Sequence, residues 1–137
     1  MADISQSNWD QTDASNTTAA PDGAPEGMAP SGVNNVIRAM MGAIKRRYAR
    51  SIPATTGGTN TAYTLSYAVA PASYADGETF LVQFNQTCGA SPTLNINSLG
   101  AKALHKFSSS AWGAVASGDI AADDILLLTY NSSAGTL

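Results

Sequence analysis

Between residues 31 and 50, large apolar side chains recur at steps of three and four: Val33, Val36, Ile37, Met40, Met41, Ile44 and Tyr48. That spacing puts them on one face of an α-helix. Pro30 precedes the stretch, Ser31 or Asn34 supplies a capping oxygen for the first free N–H groups, and Pro53 prevents continuation. A helix of about five turns is marginal in water unless tertiary packing covers its apolar face. The stripe therefore has to be buried, either on the chain's own β domain or in a parallel bundle of copies. Ala39, Gly42 and Ala43 would allow close approach in such a bundle.

Beyond residue 61 the period changes from 3.6 to two. Residues 62–67 (AYTLSY) place Tyr63, Leu65 and Tyr67 on one face, and residues 79–85 (TFLVQFN) do the same with Phe80, Val82 and Phe84. Residues 93–97 (TLNIN), 102–107 (KALHKF) and 125–130 (ILLLTY) complete the strand candidates. Breakers separate them: Asp76-Gly77, Gly89 with Pro92, Gly100, the serines at 108–110 with Gly113, and Gly118-Asp119. Short strands at this spacing predict an antiparallel sandwich or barrel-like domain over 62–137. Residues 51–61, with ATTGGTNT at 54–61, read as a hinge or turn. The closing NSSAGTL reads as a turn leading into another strand, so the chain is expected to be the amino-terminal part of a longer polypeptide.

Residues 1–30 lack the material for a core. Trp9 is their one large aromatic, and Pro21, Pro25 and Pro30 stand near Gly23 and Gly27. Proline fixes φ and drives the preceding residue toward extended backbone, which predicts an extended or turn-rich arm. Disorder is the bland reading of such a composition. Trp9 favours the sharper one, an arm that orders in an assembly by filling a partner's pocket. The expected fold is mainly β: an extended arm, one amphipathic helix, a hinge and a small β domain.

Charge sharpens this division. Only 12% of the 137 residues are charged, about half the usual share. Residues 1–30 carry Asp3, Asp10, Asp13, Asp22 and Glu26 and no base, a charge of −5. Residues 31–50 carry Arg38, Lys45, Arg46, Arg47 and Arg50 and no acid, +5. Residues 51–137 set Lys102 and Lys106 against Asp76, Glu78, Asp119, Asp123 and Asp124, giving −3 and the net −3 of the chain. An acidic arm beside a basic helix suits pairing within or between subunits; a solvated arm and helix face is the plainer account.

The search for chemistry returns little. His105 has no second histidine to share a metal, and Cys88 is alone, so neither a zinc site nor an intrachain disulfide is expected. Asp119, Asp123 and Asp124 lack the spacing of a calcium loop and read as turn acids before a buried strand. Gly57-Gly58 lacks the Lys-Ser/Thr of a phosphate loop, and no nucleophile elbow occurs. No catalytic residue, cofactor or metal is expected. The run KRRYAR invites a nucleic-acid reading, but the preference of cations for a helix C-terminus explains it in a chain of pI about 4.7. No segment reaches the roughly 18 apolar residues of a membrane helix, and MADISQSNWD lacks the basic start and apolar run of a signal peptide.

Residues 9–48, WDQTDASNTTAAPDGAPEGMAPSGVNNVIRAMMGAIKRRY, resemble the amino-terminal segment of bacteriophage tail-fibre and related virion proteins, the PDGAPEGMAPS core being the most specific part. LNINSLGAKALHKF and SGDIAADDILLLTYN further on resemble a β module of such fibres. The resemblance implies a non-enzymatic homotrimer assembled in the host cytoplasm and incorporated into the virion tail. Its amino-terminal end would attach to a tail, baseplate or adaptor protein while distal parts meet the host surface. On this reading Trp9, Pro21, Asp22, Pro25 and Met28 dock on the virion, and Val33, Val36, Ile37, Met40, Met41, Ile44 and Tyr48 pack in a three-fold bundle. Two other readings remain open: a head-attached decoration fibre, and a carbohydrate or host-receptor module using Tyr63, Tyr67, Tyr74 or Trp112.

Overall fold

A computed structural model describes residue 17 and residues 23–137. Of the expected docking residues, Trp9, Pro21 and Asp22 lie outside the described residues. The chain forms two compact units that divide between Ala49 and Arg50.

In the first unit a turn at Glu26-Gly27 leads into helix α1 (Pro30–Arg50, 21 residues), whose last residue, Arg50, belongs to the second unit. Pro30 is the first helical residue, where its missing N–H costs nothing. The N–H groups of Gly32 and Val33 donate to the Ala29 carbonyl, and no acid stands in the first turn. Met28 folds over the N-terminal turn, so close that a Cβ on Gly32 would lie 2.6 Å from its Cγ.

The second unit is mainly β. Its strands are β1 (Ala54–Thr55), β2 (Gly57–Thr59), β3 (Ala62–Leu65), β4 (Thr79–Gln83), β5 (Thr93–Ile96), β6 (Lys102–Ala103), β7 (His105–Ser108), β8 (Ala111–Ala114) and β9 (Ile125–Thr129). They pair as a three-stranded sheet β1-β4-β9, a four-stranded sheet β2-β3-β5-β6 and the hairpin β7-β8. Most pairings are antiparallel, as expected, but β1 with β4 and β3 with β5 run parallel. Hydrophobic alternation fixes which face is buried and leaves strand direction open, which is why the parallel pairs were not foreseen.

The core is built by the period-two faces. Tyr63 and Leu65 from β3, Phe80 and Val82 from β4, and Leu94 and Ile96 from β5 are all buried, with Phe84, Cys88, Leu104, Val115, Ile120 and Leu137 closing around them. Each such side chain contributes about 1.5–3 kcal/mol on burial. Tyr63 meets Phe84 edge-on at 5.0 Å and donates its hydroxyl to the Gln86 carbonyl. The Cys88 thiol donates to the Ala116 carbonyl and accepts from the Ile120 N–H, the satisfied state of a structural thiol.

Three local expectations change. Residues 54–59, read as part of a hinge, form β1 and β2; Gly58, at φ 85°, brings its backbone so close to the Ala62 carbonyl that a Cβ would lie 2.3 Å away. The apparent glycine hinge is a tight backbone approach inside a hairpin. The run 102–107 breaks at buried Leu104, giving β6 and β7 in different sheets. Gly113, read as a breaker, lies inside β8, and the turn before it is made by Ser109 and Ser110 at φ 51° and 71°. Two residues of positive φ between paired Ser108 and Ala111 match the turn type that suits the twist of a hairpin.

The LNINSLG segment works as one turn. Asn97, at φ 47°, accepts from the Tyr67 N–H and donates to the Tyr67 carbonyl, each at 3.0 Å. Asn95 accepts from the N–H of Gly100, itself at φ 102°. Short amide side chains stand in for backbone partners here, as asparagine does in turns.

Candidate functional site

The chain's candidate site is apolar surface left uncovered in two places, one in each unit. Among the described residues no group of three His, Cys, Asp or Glu side chains is placed to hold a metal ion. His105 is half-buried in β7. Asp119 accepts from the Ala116 N–H at 2.6 Å and pairs with Lys106. Lys106 and that backbone bond hold its carboxyl below the usual carboxylate range. Asp124 likewise caps the Ala121 N–H. Both acids close turns.

The first surface lies on α1. Of the seven stripe residues, Val33, Ile37, Met40, Met41, Ile44 and Tyr48 are 44–65% exposed, and only Val36 is half-buried. The buried positions are instead Ala39 and Ala43, at 2% and 1%. A helix interior face of two alanines permits close contact but removes little apolar area from water, since transfer energy scales with area. The large side chains face outward. Lys45 lies over the Tyr48 ring at 5.1 Å, a cation–π contact on the same exposed side.

At the C-terminal end of α1 one of the clustered cations is buried. Arg50 is 3% exposed and forms an ion pair with Glu78, whose side chain is fully buried. Arg50 also stacks 5.9 Å from the Phe80 ring. It is therefore sequestered from any phosphate backbone. Beside this pair, the Tyr67 hydroxyl is buried with no hydrogen-bond partner among the described residues. Burial raises its pKa to about 12; the Arg50 charge opposes that shift and Glu78 adds to it.

The second surface is on the β unit. β9 ends the three-stranded sheet, and Ile125 and Leu127 are 52% and 64% exposed. The expectation of a buried strand here is corrected: among the described residues β9 has a neighbouring strand on one edge only, and its outer face is exposed. On the adjacent hairpin Phe107 and Trp112 sit directly opposite each other, rings 5.5 Å apart and edge-on, yet each is more than 60% exposed. Trp112, Thr129, Asn131, Ala134, Thr136 and Leu137 line a cavity of about 160 Å³.

The aromatic residues considered for stacking on sugars separate sharply. Tyr63 is in the core. Tyr74 accepts from the Ile96 N–H, donates to the Gly100 carbonyl and stacks on Tyr130. Tyr67 is tilted against Phe80 at 6.2 Å. Trp112 alone of the four presents a free face. In the arm, Pro25 and Met28 are both half-buried, Met28 against the helix start.

Sequence reasoning missed the Arg50–Glu78 pair and the open face of β9. Arg50 carried no mark to separate it from Lys45, Arg46 and Arg47, and Glu78 none to separate it from the other acids of residues 51–137. No protein-family model, curated protein or solved structure matches the chain.

Proposed function

We propose that this chain is a structural, non-enzymatic segment of a bacteriophage tail fibre that anchors the fibre to the tail or baseplate as a homotrimer. The observation that carries the reading is the exposed stripe of α1. Six large apolar side chains stand at helical spacing with at least 44% of their surface in water. Covering half-exposed side chains of this size gains on the order of 1 kcal/mol each, and three parallel copies bury all of them together. The PDGAPEGMAPS stretch and its resemblance to virion attachment segments support the same reading. The arm with Trp9, Pro21, Asp22, Pro25 and Met28 docks on a tail, baseplate or adaptor protein, and distal parts reach the host surface. A head-attached decoration fibre uses the same surfaces, and antibody labelling of virions in the electron microscope separates tail from head.

The test is the solution mass of the full chain by light scattering. A trimer is expected for the natural sequence and a monomer for the Ile37→Asp/Met40→Asp double variant. Trimers that persist in the double variant reject the bundle.

One observation favours a second reading, a carbohydrate or receptor module. Trp112 offers a free aromatic face at the rim of a cavity that also carries Thr129, Asn131 and Thr136. A glycan screen that returns no ligand, or one equally retained by Trp112→Ala, removes it.

A further inference from the structure

We propose that β9 is a second subunit contact, whose open edge and outer face are covered by another copy of this chain. The inference rests on the homo-oligomeric reading above and adds a β-structured contact to the helical one.

The geometry of β9 shows which groups are left open. The Phe84 N–H donates to the Asp124 carbonyl and the Tyr130 N–H to the Glu78 carbonyl, each at 2.9 Å. In an antiparallel ladder the hydrogen-bonded residues alternate. The even-numbered residues of β9 therefore turn toward β4, and Ile125, Leu127 and Thr129 direct their N–H and C=O groups to the open side. The same three residues share the outer face with Leu81 and Gln83, which they oppose or neighbour across the pair, while Leu126 and Leu128 lie opposite core residues Val82 and Phe80. Solvent-exposed edges are ordinarily guarded by lysine, proline, a bulge or an inward charge. The strand ILLLT has none of these.

The exposed face continues past the strand. Thr129 and Trp112 share one cavity wall, and Trp112 contacts Phe107. The exposed parts of Ile125, Leu127, Phe107 and Trp112 sum to on the order of 500 Å², at the upper end of what a monomer leaves open. That is more than half of the roughly 800 Å² each partner contributes to a standard interface, and the α1 stripe supplies more.

Two features select a copy of the same chain as the occupant. Ile125, Leu127, Phe107 and Trp112 carry no charge, so on a chain of net −3 the patch brings no charged group of its own against the neighbouring copy. The ends of the sheet are also complementary. β1 runs parallel to β4 and β9 antiparallel to it, so the two outer strands point in opposite directions. The β9 edge of one copy and the β1 edge of the next therefore meet antiparallel. β1 spans two residues against five in β9, so about a three-fold axis its ladder positions and the outer-face side chains together shield the β9 edge.

The test is residue-resolved amide hydrogen exchange on the full chain, in the oligomer and in the Ile37→Asp/Met40→Asp variant. The Ile125, Leu127 and Thr129 amides are expected to exchange about 100-fold more slowly in the oligomer than in the monomeric variant, with the Phe80 and Val82 amides protected in both. Leu127→Lys should weaken association at least about 10-fold while leaving the Phe80 and Val82 amides protected. An oligomer whose three β9 amides exchange as fast as in the monomer sinks the β9 contact and leaves the helix bundle standing. A chain monomeric at every concentration overturns both. Equal protection in the monomeric variant assigns the cover to the chain itself and also overturns the proposal.

Discussion

Strands β4 and β9 lie side by side in one sheet, and both look like core strands. The first, TFLVQ, places Phe80 and Val82 at zero exposure; the second, ILLLT, leaves Ile125 and Leu127 more than half exposed. The difference comes from position. β4 is flanked by β1 and β9 and faces the core formed with β3 and β5, whereas β9 is terminal. The helix repeats the lesson in another geometry, with Ala39 and Ala43 buried and Ile37, Met41 and Ile44 exposed. In this chain apolar character marks two different things: groups buried in the fold, and groups left exposed at its surface.

The contrast can be broken by paired truncations. Phe80→Ala should cost about 3–5 kcal/mol of unfolding free energy, because it removes a buried ring and leaves a cavity. Leu127→Ala, of similar sequence context, should change the stability of the monomeric Ile37→Asp/Met40→Asp variant by less than about 0.5 kcal/mol. Urea unfolding of both measures the gap directly, and comparable losses would mean that β9 is covered within the subunit.

Glu78, next to β4, sharpens the comparison from the polar side. Glu78→Ala leaves the Arg50 guanidinium buried without its partner and should cost about 3 kcal/mol or more, whereas Arg50→Met with Glu78→Leu should recover much of that loss. A single variant as stable as the natural chain would show that the pair is hydrated in solution. The thermal midpoint of all three proteins decides this.

The smallest expected effect concerns Tyr67. Its folded pKa of about 12 lies above the ordinary value of 10.0, so the folded state holds the phenol proton more tightly. Its contribution to stability is complete below pH 10 and is lost as pH rises toward 12, where the unfolded chain has already released the proton. Between pH 8 and 11.5 the urea midpoint of the natural chain should fall more steeply than that of Tyr67→Phe. At pH 7 the variant should be neutral or slightly more stable, since a buried hydroxyl without a partner is removed. Parallel curves would show that Tyr67 is solvated in the folded protein.

Much of the fold was legible because short-range periodicity survives folding. The 3.6 period located α1 to within one residue, and the cores of β3, β4 and β5 fell on the predicted faces. The expectation for 54–59 failed because Gly-Gly and Thr-rich sequence carries no period. β1 and β2 exist through their partners, Val82 and Gln83 for one and Ala62, Tyr63 and Thr64 for the other. β8 was hidden behind Gly113 for a related reason: its pairing with β7 depends on the Ser109-Ser110 turn, whose positive φ values no serine announces.

The sequence by itself determined the helix, the faces of the core strands, the uneven charge and the amount of apolar surface to be buried. These follow from local geometry and composition, which act over a few residues. Only the tertiary structure decided which apolar faces close within the subunit. It also joined Arg50 to Glu78 across 28 positions and set β9 at the end of its sheet. Those outcomes depend on which strand stands beside which, and neighbours in space are chosen by packing across the whole unit rather than by any residue's own preference.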